Sequence, residues 1–198
     1  MTLQPYKPKH PIRRPKYEIQ KQAAKIEYLI EEEYIILYNT AKHPEHKLLI
    51  RLLWETGLRI SEALALKYGD IYPDGINIKH GKGDKQRMVK TQAPILGELL
   101  RYARSHSNDR IFQKIRNRTS AWAMLKRVGK LAGIEKEIHP HLFRHSYAIN
   151  FLRQTGDPFS LQEQGGWSDM DIIKTYMRLA KDGPAKAVER MYFPEVNT

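Results

Sequence analysis

Apolar residues recur at helical spacing along most of the chain, and this periodicity changes near the middle. One predicted helix spans about 44–55, and Gly57 follows it in the position where helices commonly end. The apolar face of this helix consists of Leu48, Leu49, Leu52 and Leu53. Between 76 and 89 the pattern indicates two short strands around the turn Gly81-Lys82-Gly83-Asp84. The sequence therefore predicts one domain that is mainly α with a small β-hairpin, an α+β fold.

The other predicted helices follow from the same periodicity and from their end signals. The acidic run 31–33 suits the first turn of a helix. Further helices are expected near 60–66, 94–105, 119–132, 141–154, 158–165 and 169–180. Ser168 is the expected N-cap of the last of these. The resulting division is a basic Pro-rich arm at 1–16, a folded domain at 17–182 and a C-terminal segment at 183–198.

The charge of the chain indicates a polyanionic partner. Its 198 residues include 34 Lys and Arg against 22 Asp and Glu, which leaves a net charge of +12. Nucleic acid is the leading partner for a domain this basic, an anionic membrane surface is second, and solubility alone is the plainest explanation. Because the chain has no Cys, disulfides, thiolate metal sites and Cys nucleophiles are excluded.

The sequence also bears on location. Residues 1–16 lack the apolar run of a signal peptide, and no apolar stretch approaches the about 20 residues of a spanning helix. We therefore expect a soluble, cytoplasmic protein.

The first sixteen residues form a segment of unusual composition with no acidic side chain. It contains Pro5, Pro8, Pro11, Pro15, Lys7, Lys9, Arg13, Arg14 and Lys16. Prolines this closely spaced block a helix and favour an extended arm. Two interpretations stay open: a basic arm that follows DNA phosphates, or an untethered terminus.

Several side chains have the chemistry of a phosphate site. Arg59 lies at the junction of two predicted helices, where an arginine adds a bidentate anion ligand. His141 and Arg144 are three positions apart and share a helix face, so they can move a proton and hold an oxyanion. Trp167 precedes a helix that carries Tyr176 about two turns in. Taken singly, each is more commonly a surface or packing residue.

In their joint order these features resemble the tyrosine recombinases, the phage integrase family, over about residues 28–182. The family's first arginine box resembles Thr56-Gly57-Leu58-Arg59-Ile60-Ser61-Glu62 of this chain. The family's hairpin with the catalytic lysine resembles Gly81-Lys82-Gly83-Asp84-Lys85-Gln86-Arg87. The His-x-x-Arg box is similar to His141-Leu142-Phe143-Arg144-His145, and the Gly-His-Ser-Asp turn to Gly166-Trp167-Ser168-Asp169. Tyr176 falls at the usual distance of the nucleophile from that turn.

The resemblance implies a tyrosine-recombinase catalytic domain that cleaves and rejoins DNA through a 3′-phosphotyrosine. The implied catalytic residues are Arg59, Lys82, His141, Arg144, Trp167 and Tyr176, with Tyr176 as the nucleophile. Glu62 is expected to orient or neutralise this cluster, and Lys82 to protonate the leaving 5′ oxygen. The residues expected to contact DNA are Lys85, Arg87, Lys7, Lys9, Arg13 and Arg14. Neither a metal nor another cofactor is expected.

Two departures and two alternatives accompany this resemblance. Trp167 stands where the family usually has His, and its indole N–H can donate a hydrogen bond but takes up no proton. The segment before the resemblance is also too short for the family's separate DNA-clamping domain. The alternatives are a type IB-like DNA topoisomerase and a non-catalytic DNA-binding regulator of the same fold.

The resemblance also implies partners. They are double-stranded DNA and three further copies of the chain, in a tetramer on the DNA. The segment 183–198 is expected to dock on a neighbouring protomer or on its own domain through Met191, Tyr192 and Phe193.

Overall fold

The computed structural model describes residues 26–79, 86–105 and 109–180, and these ranges contain eight α-helices and one small sheet. The elements are α1 (Glu31–Thr40), α2 (Pro44–Thr56), α3 (Ile60–Ala65), a 3-10 turn (Tyr68–Asp70), β1 (Ile71–Tyr72), β2 (Gly75–Ile78), β3 (Arg87–Lys90), α4 (Ala93–Arg104), α5 (Arg118–Leu131), α6 (Pro140–Thr155), α7 (Pro158–Gly165) and α8 (Met170–Ala180). The prediction of a mainly α domain with a small β element is confirmed, and the helix boundaries agree to within one or two residues.

The sheet has one strand more than the predicted hairpin. Its order is β1-β2-β3 with antiparallel pairs throughout, and Ile76 is the residue of β2 that faces both Ile71 and Val89 in register. The two-residue strand β1 was missed because a strand that short shows no alternation of apolar and polar residues. The segment between β2 and β3, which includes Lys82 and Lys85, lies mostly outside the described residues.

Helix α2 shows how the local sequence sets the ends of an element. The ring of His43 accepts a hydrogen bond from the amide of Glu45, and Pro44 occupies the first helical position, where its missing N–H costs nothing. Gly57 ends the helix with a φ of 59°, a conformation that favours glycine. This end places the chain reversal immediately before Arg59.

The cap of α8 lies one residue later than predicted. The helix starts at Met170, and the carboxylate of Asp169 accepts a hydrogen bond from the amide of Asp171 at 2.8 Å. Asp169 rather than Ser168 is therefore the capping residue, because its side chain reaches the second free amide of the helix.

Two clusters of buried apolar side chains form the core, and α6 belongs to both. The larger cluster joins α1, α2, the sheet, α4 and α5, and Leu142 and Phe143 enter it from α6. The smaller cluster joins the C-terminal part of α6 to α7 and α8, and it contains Tyr147, Leu161 and Tyr176. The polar site described below lies where α6 meets α3, β3 and the end of α7.

Among the residues that the structure describes, no helix combines the length and the apolar character that crossing a bilayer requires.

Candidate active site

Three arginines from three different elements converge on the C-terminal end of α7. The hydrogen bonds run from Arg87 to the carbonyl of Gln164 (3.0 Å), from Arg144 to that of Gly165 (2.7 Å) and from Arg59 to that of Gly166 (2.9 Å). The last carbonyls of a helix lack partners within the helix and carry its negative dipole end, so cations are favoured there. The end of α7 thus gathers side chains from the start of α3, from β3 and from α6.

Arg144 is the most buried of the three arginines, at 5% exposure. One of its terminal nitrogens donates to the carbonyl of Gly57 at 2.7 Å, and its guanidinium carbon lies 3.9 Å from the ring centroid of Trp167. Burial, together with the positive charge of Arg59, lowers the pKa of Arg144 to about 10. The guanidinium therefore stays protonated at neutral pH and is fixed by two backbone carbonyls and an aromatic face.

Glu62 is the carboxylate that joins the other two arginines. Its Oε1 accepts from the terminal nitrogens of Arg59 at 2.8 Å and of Arg87 at 2.9 Å. Its Oε2 accepts from the backbone amide of Arg59 and from the second terminal nitrogen of Arg87, each at 2.9 Å. Burial favours the protonated acid, but the hydrogen bonds from Arg87 and Arg59 hold the pKa of Glu62 below its usual range. Three guanidiniums against one carboxylate leave an excess of positive charge, which suits an anion.

Tyr176 projects from α8 into the smaller core cluster, and only 2% of it is exposed. Its hydroxyl lies 2.8 Å from Nδ1 of His145, and its ring meets the ring of Trp167 edge-on at 5.8 Å between centroids. Burial raises the pKa of Tyr176 to about 12, although the charge of Arg144 opposes the rise. Trp167 thus touches both the nucleophile candidate and the buried arginine.

The partner of the phenol, His145, is a neutral imidazole at physiological pH. Burial is the main cause that lowers its pKa to about 4, and His141, His139 and Arg144 contribute to the same shift. In the tautomer that carries its proton on Nε2, the ring accepts a hydrogen bond at Nδ1 from the hydroxyl of Tyr176. The site therefore holds a proton donor and a proton acceptor in direct contact, away from solvent.

His141 occupies the first turn of α6 on its exposed side. Desolvation of its ring lowers the pKa of His141, and the charges of His139, Arg144 and Arg59 lower it further. His141 lies three positions before Arg144 on the same helix, one turn from the arginine cluster. The imidazole is neutral at pH 7 and accessible from outside.

The structure thus brings most of the predicted catalytic residues together. Arg59, Glu62, Arg144, Trp167 and Tyr176 form one contact network, and His141 borders it. Arg87, predicted as a DNA contact, joins this network through Glu62. The remaining predicted residues, Lys82, Lys85, Lys7, Lys9, Arg13 and Arg14, lie outside the described residues.

Two residues have contacts that the sequence did not indicate. Arg87 was predicted to contact DNA, but all three of its guanidinium nitrogens donate within the protein. His145 was noted only as part of the His-x-x-Arg box, because nothing in the spacing relates it to Tyr176 thirty-one positions later. Within the described ranges, no group of three or more His, Asp or Glu side chains is arranged to hold a metal ion.

Comparison with known proteins defines the class. Residues 27–182 match the phage integrase family. The match covers well over half of the chain, so this protein belongs to the phage integrase family. The fold prediction of a tyrosine-recombinase catalytic domain is therefore confirmed.

Two similar proteins are tyrosine recombinases. Tyrosine recombinase XerD of Listeria innocua is 34% identical over 147 residues, which covers 67% of this chain and 50% of the relative. Tyrosine recombinase XerA of Pyrococcus furiosus is 30% identical over 194 residues, covering 92% of this chain and 64% of the relative. The chain thus spans between half and slightly under two thirds of the length of these relatives.

Solved structures agree with this grouping. The crystal structure of XerA recombinase gives a TM-score of 0.70 at 28% identity, covering 84% of this chain and 66% of that protein. XerH site-specific recombinase, bound to a palindromic difH substrate in a post-cleavage complex, gives a TM-score of 0.69 at 25% identity. That superposition covers 83% of this chain and 53% of XerH.

Proposed function

We propose that this chain is a site-specific DNA recombinase, which cleaves and rejoins double-stranded DNA through a covalent phosphotyrosine at Tyr176. The observation that carries the proposal is the connected network of Arg59, Arg144, Trp167 and Tyr176, because it pairs an anion-binding cluster with an oxygen nucleophile. The tyrosine recombinases among its relatives, the substrate complex of XerH and the net charge of +12 support the same activity.

In the proposed cleavage step, the phenol oxygen of Tyr176 attacks the DNA phosphorus. The new O–P bond forms as the bond from phosphorus to the 5′ oxygen breaks, so the 3′ end becomes linked to the protein. Arg59 and Arg144 hold the nonbridging oxygens, where negative charge develops. Loss of one such preorganised donor typically costs about 10²–10³-fold in rate.

Each proton in this step has a proposed acceptor or source. The phenol proton passes to Nδ1 of His145, which is neutral and in contact with the hydroxyl. Lys82 supplies a proton to the departing 5′ oxygen. His141, on the exposed side of α6, hydrogen-bonds to a phosphate oxygen or takes up the phenol proton in place of His145. The reverse sequence rejoins the strand, and the phosphotyrosine conserves the energy of the cleaved bond.

Attack on DNA requires Tyr176 to change its surroundings. Its hydroxyl is enclosed between α6 and α8, and 2% exposure leaves no room for a phosphodiester beside it. In the proposed cycle, DNA binding shifts the part of α8 that carries Tyr176, so that the phenol reaches the phosphate near Arg59 while its hydroxyl stays within reach of Nδ1 of His145. Cleavage is then coupled to the presence of substrate.

The proposal includes partners beyond the single chain. Four copies assemble on the DNA, and the segment 183–198, which lies outside the described residues, docks on a neighbouring protomer. The basic segment 1–16, also outside the described residues, contacts DNA phosphates. Deletion of 1–16 is expected to weaken DNA affinity and to reduce its salt dependence.

The decisive experiment uses a pool of nicked duplex oligonucleotides with randomised sequence, which traps a covalent intermediate when the cleaved strand diffuses away. The wild-type chain should form an adduct that survives SDS, and Tyr176→Phe should form none. Tyr147→Phe is the matched control, because Tyr147 is a second buried tyrosine of the same core cluster. It should retain the adduct.

The outcomes separate the proposal from its alternatives. An adduct that persists in Tyr176→Phe contradicts the assignment of the nucleophile. A wild-type chain that binds the duplexes and forms no adduct is the behaviour of a non-catalytic DNA-binding regulator. Relaxation of supercoiled plasmid without any strand exchange is the behaviour of a topoisomerase.

A further inference from the structure

Arg87 has the contacts of a residue that organises the site from inside. Its side chain is 11% exposed, and that of Glu62 is 2% exposed. The two terminal nitrogens of Arg87 donate to the two oxygens of Glu62 at 2.9 Å each, and its Nε donates to the carbonyl of Gln164 at 3.0 Å. A fork of this kind fixes the carboxylate in orientation as well as in position.

The orientation of Glu62 in turn fixes Arg59. Oε1 of Glu62 accepts from Arg59 and Arg87 together, and the other terminal nitrogen of Arg59 donates to the carbonyl of Gly166. The side chain of Arg59 is 25% exposed, so its outer edge faces solvent while its inner edge is held. Without Arg87, Glu62 would lose two of its four hydrogen bonds, and its charge would be paired with Arg59 only.

The packing around Arg87 indicates that this position is built for a guanidinium. Gly166 has a φ of +62°, and a Cβ on it would lie 3.1 Å from both Cζ and Nε of Arg87. Glycine is thus the residue that leaves space for the arginine and also adopts the left-handed conformation. A second hydrogen bond connects β3 to the end of α7, since the backbone amide of Lys90 donates to the side chain of Gln164 at 2.9 Å.

Arg87 also begins β3, directly after the connection from β2 that contains Lys82. It is the first residue of β3 and is paired in register with Ile78, the last residue of β2. The chain between these two positions contains Lys82. The side chain of Arg87 therefore joins the start of β3 to Glu62 and, through Glu62, to Arg59.

We infer that Arg87 is a positioning residue for the cleavage step, which holds Glu62 and, through it, Arg59 in place at the end of α7. This inference rests on the proposed function, and it replaces the earlier assignment of Arg87 as a DNA contact. Arg87 acts through Glu62 and makes no contact with the scissile phosphate.

The test separates DNA binding from cleavage. Arg87→Gln is compared with the wild type on a nicked duplex that the wild type cleaves, with the affinity measured at several salt concentrations and the single-turnover rate of adduct formation measured at saturating DNA. The cleavage rate should fall by about 10–10²-fold, the effect of misplacing catalytic groups by a fraction of an ångström to about 1 Å. The affinity should stay within about twofold and the salt slope should stay unchanged, since a lost phosphate contact would weaken binding and reduce the slope by about 0.9.

Two further variants make the result specific. Arg51→Gln is the matched control, because Arg51 also joins two carboxylates, Glu55 and Glu98, at 2.6 Å each but lies away from the arginine cluster. It should leave the cleavage rate unchanged. Arg87→Lys keeps the charge and lacks the fork, so it should cleave as slowly as Arg87→Gln.

Each outcome bears on the inference. Weaker binding with a smaller salt slope and an unchanged rate at saturating DNA overturns it in favour of a DNA contact, and an Arg87→Lys rate equal to the wild type overturns the role of the fork. If Arg87→Gln is unfolded at the assay temperature, the double variant Arg87→Gln/Glu62→Gln is used, because it removes the carboxylate that is left unpaired. A double variant that cleaves at the rate of the wild type overturns the inference. A wild-type chain that forms no adduct on any duplex refutes the proposed function itself, whereas equal cleavage by wild type and Arg87→Gln refutes only the role of Arg87.

Discussion

The hydroxyl of Tyr176 and Nδ1 of His145 lie 2.8 Å apart in the packing between α8 and α6. Both groups are neutral at pH 7, since burial raises the pKa of Tyr176 to about 12 and lowers that of His145 to about 4. A tyrosine with this pKa is a poor nucleophile unless a base takes its proton during attack. The contact therefore stores the phenol in an unreactive state next to the group that can accept its proton.

Replacement of His145 tests this relationship through catalysis. His145→Phe keeps an aromatic ring but removes the acceptor, so cleavage at saturating DNA should slow by about 10²-fold, the lower end of what a general base contributes. His46→Phe is the control, because His46 is another partly buried histidine whose pKa is lowered, on α2. Single-turnover adduct formation is the measurement. A rate in His145→Phe equal to that of the control would show that the phenol proton goes elsewhere.

The same substitution should alter the pH dependence of stability. The folded protein holds His145 neutral down to a pKa of about 4, whereas the unfolded chain binds a proton below about its ordinary value of 6.5. The unfolded state thus binds more protons between these values, and the free energy of unfolding falls as the pH is lowered from 6.5 to 4. His145→Phe should flatten this part of a plot of Tm against pH. His46, His139 and His141, whose pKa values are also lowered, should keep the remaining slope. An unchanged slope would contradict the burial of a neutral His145.

Trp167 contacts Arg144 with its face and Tyr176 with its edge. If these ring contacts are its role, Trp167→Phe should cleave within about fivefold of the wild type, and Trp167→Ala should lose about 10²-fold because the nucleophile loses its support. If the indole N–H is needed to hold a phosphate oxygen, both variants should be equally slow. Single-turnover adduct formation at saturating DNA distinguishes the two roles.

Much of the fold and part of the site were predictable from the sequence. Helix ends such as Gly57 and the period of the apolar residues are local signals in the sequence. The order of the motifs around Arg59 and Arg144 indicates the chemistry of the site. The contact between His145 and Tyr176, by contrast, depends on how α8 packs on α6, which no local spacing records.

Arg87 illustrates the other kind of limit. A basic residue beside a lysine-rich turn is ordinarily a DNA contact, and the sequence favoured that reading. Its true neighbours, Glu62 and Gln164, are 25 and 77 positions away along the chain. Only the meeting of β3 with the end of α7 shows that its charge is used internally.

Gly57 should be far less tolerant of alanine than Gly156, although both end helices with positive φ, 59° and 69°. A Cβ on Gly57 would lie 2.3 Å from Cδ1 of Tyr147, whereas one on Gly156 would meet nothing within 4 Å. Gly156→Ala should cost about 1–2 kcal/mol of backbone strain. Gly57→Ala should cost about 1–3 kcal/mol more through the clash. Urea unfolding measures both, and equal losses would show that the ring of Tyr147 moves aside freely.

Glu45 is a wholly buried carboxylate outside the site, and its replacement should destabilise the fold without a direct effect on cleavage. It accepts hydrogen bonds from the amides of Lys114 (2.9 Å) and Ile115 (2.7 Å) and from the hydroxyl of Tyr102 (3.0 Å). Although burial opposes ionisation, these bonds hold the pKa of Glu45 below its usual 4.5, so its stabilisation is present above that pH and is lost as the pH falls below it. Glu45→Gln should lower the free energy of unfolding at pH 7 by about 1.5–3 kcal/mol, the range for hydrogen bonds to a charged group. As the pH is lowered from about 5 to about 3, the variant should lose less stability than the wild type, because it has no carboxylate to protonate at this position. Glu32→Gln, on an exposed position of α1, should change stability by less than about 0.5 kcal/mol, and a similar small effect for Glu45→Gln would show that the buried charge contributes little.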